Sequence, residues 1–90
     1  MTDVYDSPAR SRYEITVAGE TAFAAYRREG DVLVMTHTIV PPAIEGHGVG
    51  STLVAGALAD VRRRGLRIVP QCPFVAAYLE RHPDEEDLLA

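Results

Sequence analysis

Thr38-Ile39-Val40-Pro41-Pro42-Ala43-Ile44-Glu45-Gly46-His47-Gly48-Val49-Gly50-Ser51 joins a long β-branched run to an apolar helix through three spaced glycines, and the rest of the chain is arranged around that junction. After the glycines, Val49, Leu53, Val54, Ala57, Leu58 and Val61 recur at the spacing of one face of an amphipathic helix. The helix pattern ends in Arg62, Arg63 and Arg64. The first N–H groups of such a helix have no intrahelical partner, and the macrodipole adds about half a positive charge, so the turn attracts phosphate. Glycine lets a ligand come close to that backbone.

Composition narrows the function classes. Ninety residues suit one small domain, with nearly half the residues apolar and about a quarter charged, as in ordinary soluble globular proteins. No apolar run approaches the ~20 residues of a membrane span. The first residues, with Asp3 and Asp6, lack the basic and apolar regions of a secretory leader, and the expectation is a cytoplasmic protein without a membrane partner. A lone cysteine excludes an internal disulfide, and one Cys with three scattered histidines does not match a structural zinc site, so no metal is expected. The net charge is −4 and all nine basic residues are arginine, which argues against broad nucleic-acid binding and removes lysine as a self-modification site.

In chain order, residues 1–11 are polar, contain Pro8 and show no period; they read as a flexible arm ahead of a single domain over residues 12–90. Residues 12–17 alternate, with Tyr13, Ile15 and Val17 on one face, and Ala18-Gly19-Glu20 supplies a turn into a second strand over 21–28. Glu29-Gly30-Asp31 turns into a third strand over 32–40, which Pro41 and Pro42 stop. Gly65 sits where a helix C′ cap belongs, and residues 66–69 read as a fourth strand, parallel to the third because a helix connects the two. Pro73 opens a second helix, with Phe74, Ala77 and Tyr78 on one side, that Pro83 blocks beyond His82. Residues 84–87 read as a solvated acidic tail, the three arginines as a solvated helix end, and Phe23, Tyr26 and Phe74 as core. The fold class is α/β, in the order β-β-β-α-β-α.

Three features carry chemistry. The glycine turn fits either a phosphate cradle or a tight loop that lets helix and sheet pack; a dinucleotide fingerprint lacks its third glycine at Ser51-Thr52-Leu53, and a nucleotide P-loop lacks its lysine. Histidine is the side chain whose charge changes near neutral pH, so His37 suits a base or proton relay. Strand parity groups it with Leu33, Met35 and Ile39, so the alternative is a buried, hydrogen-bonded histidine. Cys72 precedes Pro73 at a helix start, where thiol pKa falls, although a free Cys is more often a small buried apolar residue.

The chain resembles the GCN5-related N-acetyltransferase (GNAT) superfamily, and within it the minimal, small YjdJ-like proteins. The matching motifs are Thr36-His37-Thr38-x-Val40-Pro41-Pro42, Gly46-His47-Gly48-Val49-Gly50, Val69-Pro70-x-Cys72-Pro73-Phe74-Val75-Ala76-x-Tyr78-Leu79 and His82-Pro83, in the family's order over about three quarters of the chain. The resemblance implies an acetyl-CoA-dependent N-acetyltransferase acting on a small-molecule or protein amine, as a monomer or weak homodimer. It implies that acetyl-CoA lies between the third and fourth strands. Its pyrophosphate would rest on Glu45, Gly46, His47, Gly48, Val49, Gly50 and Ser51, and its pantetheine amides would pair with the strand at Thr38, Ile39 and Val40. His37 would act as base, Cys72 would line the cleft or carry the acetyl group with His37 assisting, and Tyr78 would protonate the CoA sulfur. Glu45 departs from the superfamily's pattern, which usually begins with Arg or Gln. The superfamily's N-terminal helices are absent from this pattern. A non-catalytic acyl-CoA-binding or sensing module is the alternative reading, and a plain interaction domain that kept the fold and lost the ligand is a third.

Overall fold

The alternating runs pair into one mixed sheet of five strands, in the spatial order of the sequence: β1 (Tyr5–Ser7), β2 (Arg12–Val17), β3 (Glu20–Glu29), β4 (Val32–Ile39) and β5 (Arg67–Pro70). Helix α1 (Val49–Arg63) connects β4 to β5, and α2 (Pro73–Arg81) follows β5. The computed structural model describes residues 3–90. The first four strands are antiparallel to their neighbours, whereas β5 runs parallel to β4 from Val32↔Arg67 to Met35↔Pro70. The mixed α/β architecture expected from the sequence is therefore present, with one strand more.

Period-2 side chains from the strands form the core on a single face of the sheet. Tyr13 and Ile15, Ala22, Ala24 and Tyr26, Leu33 and Met35, and Ile68 all lie there, joined by Leu53, Val54, Ala57, Leu58 and Val61 of α1 and by Val75, Tyr78 and Leu79 of α2. Both helices thus cover one face and leave the other to solvent, an arrangement open to a mostly antiparallel sheet. The apolar stripe read for α1 is the one that is buried. Gly65, at φ +69°, lets the chain leave α1 and drop into β5, with Leu66 N–H bonding back to the Val61 carbonyl at 3.0 Å.

Several expectations are corrected. The arm read for residues 1–11 begins at residues 1 and 2, which lie outside the described residues, but Tyr5–Ser7 forms the edge strand β1 on β2, followed by a 3₁₀ turn at Pro8–Arg10. Contacts distant in sequence hold it: Tyr26 donates to Asp6 at 2.6 Å, Tyr5 donates to Glu14 at 2.6 Å, and Arg64 bridges Asp6 and Asp60, each at 3.1 Å. The acidic end is equally tied down. Pro83–Leu88 forms a 3₁₀ helix with Leu88 buried, Arg62 pairs with Glu85 at 2.9 Å and Asp87 at 2.7 Å, and Ala90 N–H reaches the Ile68 carbonyl at 2.9 Å. The arginines that read as a solvated helix end are therefore ion-paired clamps, with Arg63 on Asp60 as well. Tyr26 is core, but Phe23 lies on the open face under the Arg12 guanidinium, 4.1 Å from its ring centre, and Phe74 is exposed. On α2 the buried side is Val75, Tyr78 and Leu79, one residue round from the expected Phe74, Ala77 and Tyr78.

Glu14 is a buried carboxylate on the open face, only 3 % exposed. Donation from Tyr5 and then from Arg12, at 2.6 Å, holds its pKa below the usual carboxylate value. Hydrogen bonds from Tyr13, Arg64 and Arg63 do the same for Asp60 against the opposing effect of its burial. Because the unfolded chain binds these protons more readily than the native one, stability is fully present above the ordinary carboxylate range and is lost as pH falls through the lowered native values. Melting curves from pH 7 to pH 2 should show that acid loss, and Glu14→Gln should make it shallower; an unchanged acid limb would remove Glu14 from the account.

The register contains one irregularity with large consequences. Tyr26 pairs with Met35, but Ala25 pairs with His37, which leaves Thr36 as the extra residue of a β-bulge, its hydroxyl on the Ala25 carbonyl at 3.3 Å. Without it Ala24, a core residue, would face His37. With it Ala24 faces Thr38. The grouping of His37 and Ile39 with Leu33 and Met35 is thereby corrected: beyond the bulge, His37 and Ile39 turn to the open face and Thr38 turns to the helices.

Candidate functional site

β4 keeps β3 on one side along its whole length, but β5 accompanies it only as far as Met35. The last β4–β5 link is the Cys72 N–H to the Met35 carbonyl at 2.9 Å, after which the chain enters α2. The two chains then diverge. A cavity of about 400 Å³ opens in the gap, lined by Thr38 and Val40, by Ile44, Glu45, Gly46 and Gly48 of the loop, by Val49, Gly50 and Ser51 of the first turn of α1, and by Phe74. It falls within the usual size of ligand clefts.

The floor of this cavity is a donor surface. The first intrahelical bond of α1 runs from Thr52 N–H to the Gly48 carbonyl at 3.0 Å, so the N–H groups of Val49, Gly50 and Ser51 precede it. No side chain caps the turn, and no acidic residue lies in it. These amides lack intrahelical partners and carry the positive end of the helix dipole. The three glycines have separate reasons. Gly46 and Gly48 adopt φ +81° and +71°, where side chains are disfavoured, and open space lies where their Cβ atoms would be. Gly50 is helical, but a Cβ there would stand 2.7 Å from the end of the Phe74 ring. Gly50 thus makes room for helix and ring to pack, and Gly46 and Gly48 serve the left-handed turns of the loop.

Of the expected site residues, Thr38, Val40, Glu45, Gly46, Gly48, Val49, Gly50 and Ser51 line the cavity together. Ile39 and His47 do not. Glu45 is exposed and, among the described residues, is the only ionisable side chain in the lining. Cys72 lies behind the wall, 3 % exposed, with its Sγ 3.4 Å from the Thr38 hydroxyl. His37 is exposed on the open face, its Nδ1 3.2 Å from the Thr36 hydroxyl and its ring edge-on to Phe23 at 5.9 Å. No hydrogen bond links His37 to Cys72 among the described residues. Tyr78 is buried and stacks on His82 at 3.9 Å, six residues along α2 from Cys72, or about 9 Å of helix rise. Burial, with Glu85 and Asp84 nearby, raises its pKa. His82 accordingly does more than end the helix: its Nδ1 sits 2.8 Å from the Tyr78 carbonyl.

Two lining residues escaped the sequence reading. Phe74 reads as core because it is large and apolar, yet it follows Pro73 in the first helical turn and fills the space that Gly50 vacates, and the missing side chain at position 50 is the signal. Ile44 was hidden in a loop; its burial beside the glycines marks it. Comparison with known families gives a match, over residues 12–88, to the family model described as GCN5-related N-acetyl-transferase.

Proposed function

The chain belongs to the GCN5-related N-acetyltransferase family, and on that premise we propose that it moves an acetyl group from acetyl-CoA to an amine. The observation that carries the reading is the cavity in which a stretch of β4 without a β5 partner meets the uncapped first turn of α1. Main-chain groups of Thr38 and Val40 suit the pantetheine amides, and the N–H groups of Val49, Gly50 and Ser51 suit the pyrophosphate. Bound there, acetyl-CoA supplies an acetyl group on a good leaving thiol. The chain's own residues would then hold the donor, steady charge on the thioester oxygen through a backbone N–H near Ile39 or Val40, and take the proton of the acceptor, while the C–S bond breaks and CoA leaves as a thiolate that takes its proton from solvent. An alkylammonium must lose that proton before it can attack, and His37, exposed on the open face, is the base we assign.

The separation of His37 from Cys72 favours direct transfer over an acetyl-cysteine relay that needs both together. Tyr78 enters the proposal as a packing group. The short motif set supports placing the chain near the small YjdJ-like members. A second reading, an acyl-CoA-binding module without turnover, is favoured by the absence, among the described residues, of a hydrogen bond between His37 and Cys72. Thiol release from acetyl-CoA, followed over a panel of primary amines, separates the two: turnover supports transfer, and a thermal shift with acetyl-CoA but no amine-dependent release supports the module.

Glu45 opposes the phosphates. Replacing it with Gln or Arg should tighten acetyl-CoA binding by about threefold to tenfold at low salt, and less at high salt, because the carboxylate is exposed and screened. Titration calorimetry at two ionic strengths checks this; unchanged affinity would place the phosphates away from Glu45.

A further inference from the structure

Thr36 is the extra residue of the β4 bulge, and its hydroxyl stands between two groups with different needs. The Ala25 carbonyl, at 3.3 Å, can only accept. The His37 Nδ1, at 3.2 Å, donates or accepts according to where the ring proton sits. A hydroxyl has one proton. Given to the carbonyl, it leaves Oγ1 as an acceptor toward the ring, so Nδ1 must be the protonated nitrogen. The lone pair of the neutral imidazole then falls on Nε2, which has no hydrogen-bond partner among the described residues. Phe23 holds the ring from another side, edge-on at 5.9 Å, and is itself covered by the Arg12 guanidinium at 4.1 Å. Successive side chains of a regular strand point to opposite faces, so this meeting of neighbours depends on the bulge.

We infer that Thr36 is a positioning residue for His37: its hydroxyl, anchored on the Ala25 carbonyl, selects the Nδ1–H tautomer and leaves Nε2 as the nitrogen that takes a proton. The inference rests on the reading of His37 as the base and deepens it, naming the atom that acts and the residue that prepares it. In the other tautomer Nε2–H could only donate, and the lone pair would face the strand. When Nε2 takes the proton of an alkylammonium, the ring becomes imidazolium and Nδ1–H keeps its bond to Thr36. Proton uptake therefore needs no turn of the ring, and the proton passes on to solvent afterwards. A threonine kept for its shape alone would be replaceable by valine.

Nitrogen NMR of the imidazole rings reads the tautomer without acetyl-CoA, at alkaline pH where histidine is neutral, in wild type, Thr36→Val and Thr36→Ser. The chain has three histidines, and two calibrate the third. His82 must donate from Nδ1, because that atom lies 2.8 Å from the Tyr78 carbonyl, whereas His47 is exposed in the glycine loop. His37 should match His82 in wild type and in Thr36→Ser. In Thr36→Val its ratio of Nδ1–H to Nε2–H should fall about fivefold, the weight of one hydrogen bond. Amine-dependent kcat should fall in the same variant with the KM for acetyl-CoA unchanged, and recover with serine. A wild-type His37 mainly in the Nε2–H form would overturn the inference whether or not the valine variant folds. So would a tautomer indifferent to the hydroxyl, or a kcat that stays put while the tautomer shifts. A hydroxyl-dependent Nδ1–H form in a protein without turnover would instead fail the reading of His37 as base and leave the tautomer assignment standing.

Discussion

Gly48→Asp should abolish acetyl-CoA binding, while Gly48→Asn should retain most of it. Position 48 has φ +71°, a left-handed conformation in which Asn and Asp are the best tolerated side chains, and open space lies where the new Cβ would sit. Both variants should therefore fold, with similar small losses of stability, and differ mainly by one charge. A carboxylate about 5 Å from a phosphate costs about 3 kcal/mol at an effective dielectric constant of about 20, which is about a hundredfold in affinity. The readout is the ligand-induced rise in melting temperature, which follows from binding to the native state alone. A full shift in the folded Asp variant would move the phosphates away from the α1 N-terminus, and no shift in wild type at millimolar acetyl-CoA would remove the donor site altogether.

His37→Ala should lower acetyl transfer by about two to four orders of magnitude and leave acetyl-CoA affinity nearly unchanged, as removal of a general base does. Its side chain is exposed, so its loss should hardly affect stability. Equal losses of binding and turnover would make His37 a support for the strand rather than a base. Cys72 gives the complementary result: in a chain with no lysine, an acetyl group acquired from acetyl-CoA alone and removed by hydroxylamine marks the thiol. With His37 and Cys72 on different sides of β4, little such label should accumulate, and Cys72→Ala should keep turning over.

Helix α1, the meander and the parallel crossover were legible because each rests on a local signal: a 3.6-residue stripe, alternating apolar residues, and proline or glycine at element ends. The glycine turn carried the cavity with it for the same reason. The face on which His37 lies was not legible, since Val34-Met35-Thr36-His37-Thr38 alternates well enough for an unbroken strand and the bulge is set by how β3 pairs with it. β1 was missed because three residues make no period, and what holds them is Glu14, Tyr26 and Arg64, up to 58 positions away. The acidic end read as solvated for a related reason: four carboxylates in succession or nearly so repel one another until Arg62 meets two of them, and nothing in the tail itself announces that partner.

The Cys72 N–H bond to Met35 also bears on the order in which the molecule is built. The meander closes through short turns, whereas the β4–β5 pairing waits for the whole of α1 to be in place, the kind of non-local contact that forms late. A folding intermediate with only the meander would own Thr38 but neither Cys72 beside it nor Phe74 above it. The cavity is then complete only in the completed chain, and exchange of the Cys72 amide proton with water should report opening of the crossover.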